Sequence, residues 1–293
     1  MKKSKRISTT TLFKVFIYVA LVSLAVSIIV PVGWVFMASI KENQEFYGNP
    51  WTLPDGFHFQ NFAEAFIEAQ MGQYLLNSII VTVLALLFLL VLALPAAYVL
   101  SRFKFFGSNL LNGFIKAGLF INVSYIAVPI FLLLLGWDNV LQDIIGQNFF
   151  LDNRAILALI YASTALPFTI FLLSSYFETL PSDFEEAANI DGAGYFRTMF
   201  SVMLPMAMPS IVIVILFNFL LFWNEYLLAL TIMPGDNKTL PVGLLNLLAA
   251  ERAAVNYGPM YAGMVIVMLP TLILYIIVQK RLTEGMTVGG VKG

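Results

Sequence analysis

The sequence predicts an all-α membrane protein with six transmembrane helices and both termini on the inner side of the bilayer. Three observations predict it: an apolar composition poor in charge, six long charge-free runs, and a lopsided distribution of lysine and arginine. Apolar residues make up 60% of the chain and charged residues 11%, with a mean hydropathy of +0.86. A water-soluble domain carries about a quarter charged residues. Too few charges are present to clothe a water-facing surface, so much of the surface faces lipid.

The charge-free runs lie between Lys14 and Lys41, Glu68 and Arg102, Lys116 and Asp138, Arg154 and Glu178, Arg197 and Glu225, and Arg252 and Lys280. Each exceeds the roughly 20 residues that an apolar helix needs to cross a bilayer. Within lipid every backbone N–H is satisfied inside its own segment, so each run is expected to be a helix. The two-residue alternation of a membrane barrel is absent. Pro31, Pro95, Pro129, Pro167, Pro209 and Pro270 fall in or near the ends of these runs, where neighbouring helices make kinks tolerable.

Orientation follows from the basic residues. With the N-terminus inside, twelve fall on inner segments: Lys2, Lys3, Lys5, Arg6, Lys14, Arg102, Lys104, Lys116, Arg197, Lys280, Arg281 and Lys292. Only Lys41, Arg154, Lys238 and Arg252 fall outside. The first run follows a basic start but is longer than the apolar stretch of a signal peptide, and no small-x-small cleavage site follows it, so it reads as an uncleaved anchor. The expected organisation is residues 1–72 as N-terminal tail, first span and outer loop, 73–281 as a five-helix core, and 282–293 as an inner C-terminal tail. In the outer loop, residues 49–56 are turn-rich and residues 61–66 have the makings of a short surface helix.

Several chemistries are excluded. The chain has no cysteine and a single histidine, His58, so thiolate, Fe–S and imidazole-metal sites are not expected. A phosphate-cradling loop needs Gly-Lys, a dipeptide that does not occur. Gly192-Ala-Gly194 lacks the third glycine of a dinucleotide fingerprint. No H-E-x-x-H or G-x-S-x-G pattern is present. The basic cluster Lys2–Arg6 is a topology signal and not a nucleic-acid patch.

The longest inner loop, within residues 179–205, carries the most information. Ser182 followed by Glu185 is a capping-box pattern that starts a helix, and Gly192 suits the left-handed residue that ends one. A short helix, a sharp turn and a second helix running to Pro205 are therefore expected. Phe184, Ala187, Ala188 and Asp191 share one face by their spacing. By helix physics alone this loop is either an amphipathic connector on the membrane surface or a docking element with a small-residue face.

The spacing Glu186-Ala187-Ala188, three residues, Gly192, nine residues, Val202-x-Leu204-Pro205 resembles the EAA loop of ABC importer permeases. That family's pattern is EAA-x3-G-x9-I-x-L-P, and Val202 replaces its isoleucine. Asn77-Ser78 at the start of the second span, Ala96-Ala-Tyr98 with Arg102 at its end, Trp223-Asn-Glu-Tyr226, Thr239 to Leu244, and the glycine-rich terminus Gly289 to Gly293 are also similar to the sugar-type subfamily. The similarity covers nearly the whole chain.

The resemblance implies the type I importer permease architecture in a bacterial inner (cytoplasmic) membrane, with a sugar as substrate. It implies a second homologous permease, a cytoplasmic ABC ATPase dimer and an extracytoplasmic solute-binding protein as partners. The ATPase would bind ATP and Mg, and this chain would hold no cofactor or metal and catalyse nothing itself. Glu186 would bond to the ATPase, Ala187 and Ala188 pack on it, Asp191 share their face, Gly192 make the turn, and Val202, Leu204 and Pro205 lead into span five. In the tail, Gly290 and Lys292 are candidate ATPase contacts, or part of a plain flexible end.

Candidates for the substrate path are Asn122, Ser124 and Tyr125 in span three, and Asn218, Trp223, Asn224, Glu225 and Tyr226 in span five. Glu225 serves either the cavity or the membrane interface. Trp223 and Tyr226 either stack on sugar rings or belong to the interfacial aromatic belt. Two other classes stand beside the importer reading. A secondary transporter or channel would place ionisable relays or broken helices at the midplane, and apart from Glu225 at a run's end the runs lack such charges. An intramembrane enzyme would need a nucleophile paired with a base, or a metal site, and neither can be assembled from the sequence.

Overall fold

The computed structural model describes residues 9–47, 49–254 and 256–290, with side chains described over 13–47, 49–252 and 256–279. Eleven helices are used below: α1 Thr9–Ala38, α2 Met71–Arg102, α3 Ser108–Gly118, α4 Val123–Ile145, α5 Arg154–Thr179, α6 Asp183–Ile190, α7 Tyr195–Met206, α8 Met208–Trp223, α9 Leu227–Ile232, α10 Leu240–Ala254 and α11 Tyr257–Gly290. Among the described residues no strand occurs. Five stretches are long and apolar enough to cross a membrane: Phe13–Ala38, α2, α4, α5 and Tyr257–Gln279. The pair α7 and α8, bent by 75°, makes a sixth when taken as one span.

That bend has a covalent cause. Pro205 and Pro209 flank Ala207, and neither can donate a backbone hydrogen bond. The turn Met199–Met203 widens to a π-type turn ahead of Pro205, and the helix breaks at Ala207. Pro31, Pro95, Pro129, Pro167 and Pro270 sit inside continuous helices.

The third span differs from its charge-free run. Lys116 belongs to the separate helix α3, and α4 begins only after Asn122, whose side chain accepts from Ser124 N at 2.9 Å. At the other end α4 runs past Asp138, which lies inside it at 2% exposure. Asp138 is tolerated there because its carboxylate accepts backbone N–H groups of Phe149, Phe150 and Leu151 at 2.7, 2.7 and 2.8 Å. Backbone donors replace the water that a buried charge loses.

The chain groups into two compact units, residues 1–69 with 246–266, and residues 70–245 with 267–293. In the first, the span Phe13–Ala38 buries none of its apolar window. The outer loop folds on itself: Asn61 Nδ2 donates to Ser39 O and Lys41 O at 3.0 and 2.9 Å. The buried Lys41 ammonium donates to Pro50 O and Thr52 Oγ1. Trp34 meets Trp51 and Tyr261, and Phe46 meets Tyr257 and Tyr261. The helix expected over residues 61–66 is present as two short turns, Gln60–Ala63 and Glu64–Glu68.

The second unit is built on α2 and α5. Ala85, Ala93 and Ala97 of α2 and Ala158, Ala162 and Ala165 of α5 are all buried. Between membrane helices small residues let backbones approach closely, which is where packing energy comes from without a hydrophobic drive. Helices α3 and α8 also pack on α5, and α9 packs on α4 and α5. Gly118 closes α3 against α5, since a Cβ there would fall 2.7 Å from Pro167.

Candidate functional site

The inner loop folds as a short helix, a turn and a second helix. Helix α6 has eight residues and ends in a double hydrogen bond, Gly192 N to Asn189 O at 3.0 Å and Ala193 N to Ala188 O at 2.9 Å. Gly192 takes φ +77°, a left-handed conformation that costs a side-chain-bearing residue about 1–2 kcal/mol. The capping box is not formed. Ser182 makes no side-chain cap bond, and Glu185 N donates to Ser182 O instead at 2.9 Å. The Glu185 carboxylate is engaged elsewhere: the Tyr98 hydroxyl donates to its Oε1 at 2.8 Å.

Arg102, one turn beyond Tyr98, donates from Nη2 to Leu180 O at 2.6 Å. Its Nε lies 3.6 Å from Glu185 Oε2, too far for a hydrogen bond, and is buried without another partner. The structure thus brings Tyr98, Arg102 and Glu185 together where α2 ends and α6 begins. Tyr98 and Arg102 stand out in the sequence; Glu185 reads there as a capping residue, and no local signal announces its tertiary partner.

The face expected over Phe184, Ala187, Ala188 and Asp191 is divided. Ala188 is 7% exposed and packs inward, on the side of the half-buried Glu185. Phe184, Glu186, Ala187, Ile190 and Asp191 are exposed, Ile190 at 86%. Tyr195 and Phe196, just past the turn, are also exposed. Val202 and Leu204 are half-buried and Pro205 exposed. Gly290 ends α11, and Lys292 lies outside the described residues.

A second site lies at the break between α8 and α9, over Asn224–Tyr226. A cavity of about 370 Å³ is lined there by Ser124, Tyr161, Thr164, Asn224, Glu225 and Tyr226 among others. Glu225 is fixed in place. Its Oε2 accepts from the Tyr161 hydroxyl at 2.6 Å and from Ala229 N at 3.2 Å, and its Oε1 accepts from Leu228 N at 2.8 Å. It therefore starts α9 while facing the cavity.

Of the other substrate-path candidates, Trp223 is buried and stacked on Phe219 at 5.5 Å, with its Nε1 donating to Val267 O. Asn218 is buried and donates to Thr169 Oγ1 at 3.1 Å and Val214 O at 2.9 Å, an interhelical tie. Asn122 caps α4, and Tyr125 is 81% exposed outside the cavity lining. Tyr161 and Thr164 are the additions that the sequence did not single out, because polar groups in an apolar span have no characteristic spacing.

The outer end of this unit is knotted by side chains from distant loops. Asn77 Nδ2 donates to Lys238 O at 3.1 Å, and its Oδ1 accepts from Arg154 Nη1 at 3.0 Å. Ser78 Oγ accepts from Leu240 N at 2.7 Å. Asp152 accepts from Gly235 N and Asn237 Nδ2. The Asn77-Ser78 pair and the segment from Thr239, separate motifs in the sequence, are thus two halves of one contact.

The chain is similar to known proteins over most of its length. The family described as binding-protein-dependent transport system inner membrane component matches residues 89–288. The diacetylchitobiose uptake system permease protein NgcG of Streptomyces coelicolor is 39% identical over 279 residues, covering 94% of this chain and 88% of that protein. The trehalose/maltose transport system permease protein MalG of Thermococcus litoralis is 28% identical, covering 96% and 97% respectively. A chain of a bacterial ABC transporter involved in import of the acidic polysaccharide alginate superposes with a TM-score of 0.77 at 24% identity, over 94% of this chain and 99% of that one.

Proposed function

We propose, from the fact that this chain belongs to the family of inner membrane components of binding-protein-dependent transport systems, that it is the sugar-conducting permease of an ATP-driven importer. As a permease of that family it is a multi-pass inner-membrane protein working with an ATPase and a binding protein. In the full assembly it pairs with a second, homologous permease, and an ATPase dimer that binds ATP and Mg docks beneath both. The single observation that carries this reading is helix α6, which exposes Phe184, Glu186, Ala187 and Ile190, with Glu186 and Ile190 on the side opposite its buried Ala188.

The mechanism follows from that placement. ATP-driven closure of the ATPase dimer displaces α6, and the turn at Gly192 passes the displacement to α7 and α8. Rigid-body movement of packed helices then alternates the access of the cavity at Asn224–Tyr226, a known class of transition. In that cavity Asn224 and Tyr226 are exposed and bind hydroxyls and the apolar face of a sugar ring, while Glu225, held by Tyr161, keeps the break in shape. A neutral oligosaccharide is the substrate class, as the names of the two sugar permeases above suggest.

The test is ATP hydrolysis by the reconstituted importer with its binding protein, in the presence of neutral disaccharides or of uronate oligomers. Stimulation by a neutral disaccharide, reduced by Asn224→Ala or Tyr226→Ala, is the expected result. Stimulation by uronates alone would assign an acidic substrate, and stimulation by neither would remove the sugar.

A further inference from the structure

The cluster of Tyr98, Arg102 and Glu185 ties the loop to a helix that the chain connectivity leaves out. Helix α6 is covalently joined to α5 before it and to α7 after it. Nothing covalent links it to α2, yet α2 provides the side chains that grip it. The Tyr98 hydroxyl reaches Glu185 Oε1 at 2.8 Å, and Arg102 holds Leu180 O at 2.6 Å, just ahead of α6. Tyr98 is itself 3% exposed and wedged edge-on against Phe103 and Phe177 at 5.7 Å each. A side chain so confined cannot follow a moving partner by changing rotamer; it must move with its helix.

Glu185 adjoins Glu186 on α6, and the two carboxylates serve different partners. Glu186 is exposed, whereas Glu185 is half-buried and turned to α2. The Arg102 Nε, buried without a hydrogen-bond partner and in an ion pair at 3.6 Å with Glu185 Oε2, falls short of a charge-assisted hydrogen bond by less than about 1 Å. A small displacement of α6 toward α2 completes that bond, and the opposite displacement abandons it. The contact therefore distinguishes two positions of α6.

We propose that Glu185, gripped by Tyr98 and Arg102, is the positioning residue that transmits movement of α6 to the second span, so that both α2 and α8 are driven by the ATPase. This rests on the reading of α6 as the docking element. Since α2 and α5 are the packed centre of their unit, a grip on α2 moves the centre of the bundle as well as the broken fifth span.

The experiment uses the complete importer in lipid discs and measures two quantities on each variant. One is the ATPase retained on the purified complex; the other is the ratio of hydrolysis with binding protein and substrate to hydrolysis without them. Tyr98→Phe and Glu185→Gln should retain the ATPase and lower the ratio roughly five- to tenfold, the lower part of the range for a coupling contact. The double variant should be no worse than the more affected single one, because both act through one contact. Arg102→Lys should recover part of the ratio lost in Arg102→Ala.

A wild-type ratio in both single variants, effects that multiply in the double variant, or loss of the ATPase from Tyr98→Phe would each overturn the proposal. The docking reading is judged separately on Glu186→Ala and Ile190→Asp. If those two keep the ATPase and transport, that reading fails. If they lose both while Tyr98→Phe and Glu185→Gln behave as wild type, only the proposal about α2 fails.

Discussion

The Tyr161 hydroxyl donates a 2.6 Å hydrogen bond to Oε2 of Glu225, joining the fourth span to the break in the fifth. The tyrosine ring is 1% exposed and stacks on Phe222 at 5.6 Å, and its hydroxyl also lies 3.5 Å from Glu225 O, a marginal second acceptor. Removing the carboxylate by Glu225→Ala leaves the hydroxyl only the marginal backbone acceptor and takes both side-chain bonds from the start of α9. The expected loss is about 2–4 kcal/mol from these two effects, read as lowered thermal stability of the purified protein. Tyr161→Phe leaves the two backbone bonds to Glu225 intact and is expected to lose only about 1 kcal/mol.

Asp138 gathers three backbone N–H groups, at 2.7–2.8 Å, from the segment joining α4 to α5. Asp138→Asn keeps the shape but removes the charge and turns one acceptor into a donor facing N–H groups. A loss of about 1.5–3 kcal/mol is expected, the range for hydrogen bonds to a charged group. Faster proteolysis within residues 146–153 would accompany it, and unchanged cleavage and stability would contradict the account.

Gly192 and Ile190 are close in sequence and opposite in expectation. No atom would obstruct a Cβ at Gly192, so the penalty of Gly192→Ala comes from φ +77° alone and is about 1–2 kcal/mol. Ile190→Asp exchanges an 86% exposed side chain and should change stability by less than about 0.5 kcal/mol. Unfolding curves of the isolated chain separate the two.

Glu251 gives a pH dependence. Burial raises its carboxyl above the usual 4.5, the Asn256 side chain opposes this, and the charges of Glu64 and Glu68 add to the rise. The folded state then holds the proton more tightly than the unfolded state. Stability is therefore full at acid pH and falls as pH rises from about 4.5 through the raised value. Glu251→Gln should flatten that fall and raise stability at neutral pH, as followed by thermal unfolding across a pH series.

The spans were legible in the sequence because lipid admits few charges, and α2, α5 and Tyr257–Gln279 follow their charge-free runs closely. Asp138 misled the reading of the third span. A carboxylate normally marks an interface, but three backbone donors from the following loop satisfy this one, and such a nest has no sequence signature. The Ser182–Glu185 spacing and Gly192 pointed to the short helix, the left-handed glycine and the second helix, although the capping box itself is not formed. They did not foretell that Ala188 turns inward, nor that Glu185 leaves the cap for Tyr98, since both depend on where α2 ends in space. In the cavity, Asn224, Glu225 and Tyr226 were readable from their position at a run's end, while Tyr161 lies in the middle of an apolar span and only packing brings it to Glu225.

The exposed face of α6 is the proposed docking surface for the ATPase. The most direct measurement is ATPase retained on the purified importer carrying Ile190→Asp or Glu186→Ala, beside the unfolding temperature of the same preparation. The expected result is loss of the ATPase with the unfolding temperature of the chain unchanged. Full retention with normal transport in both variants would contradict it.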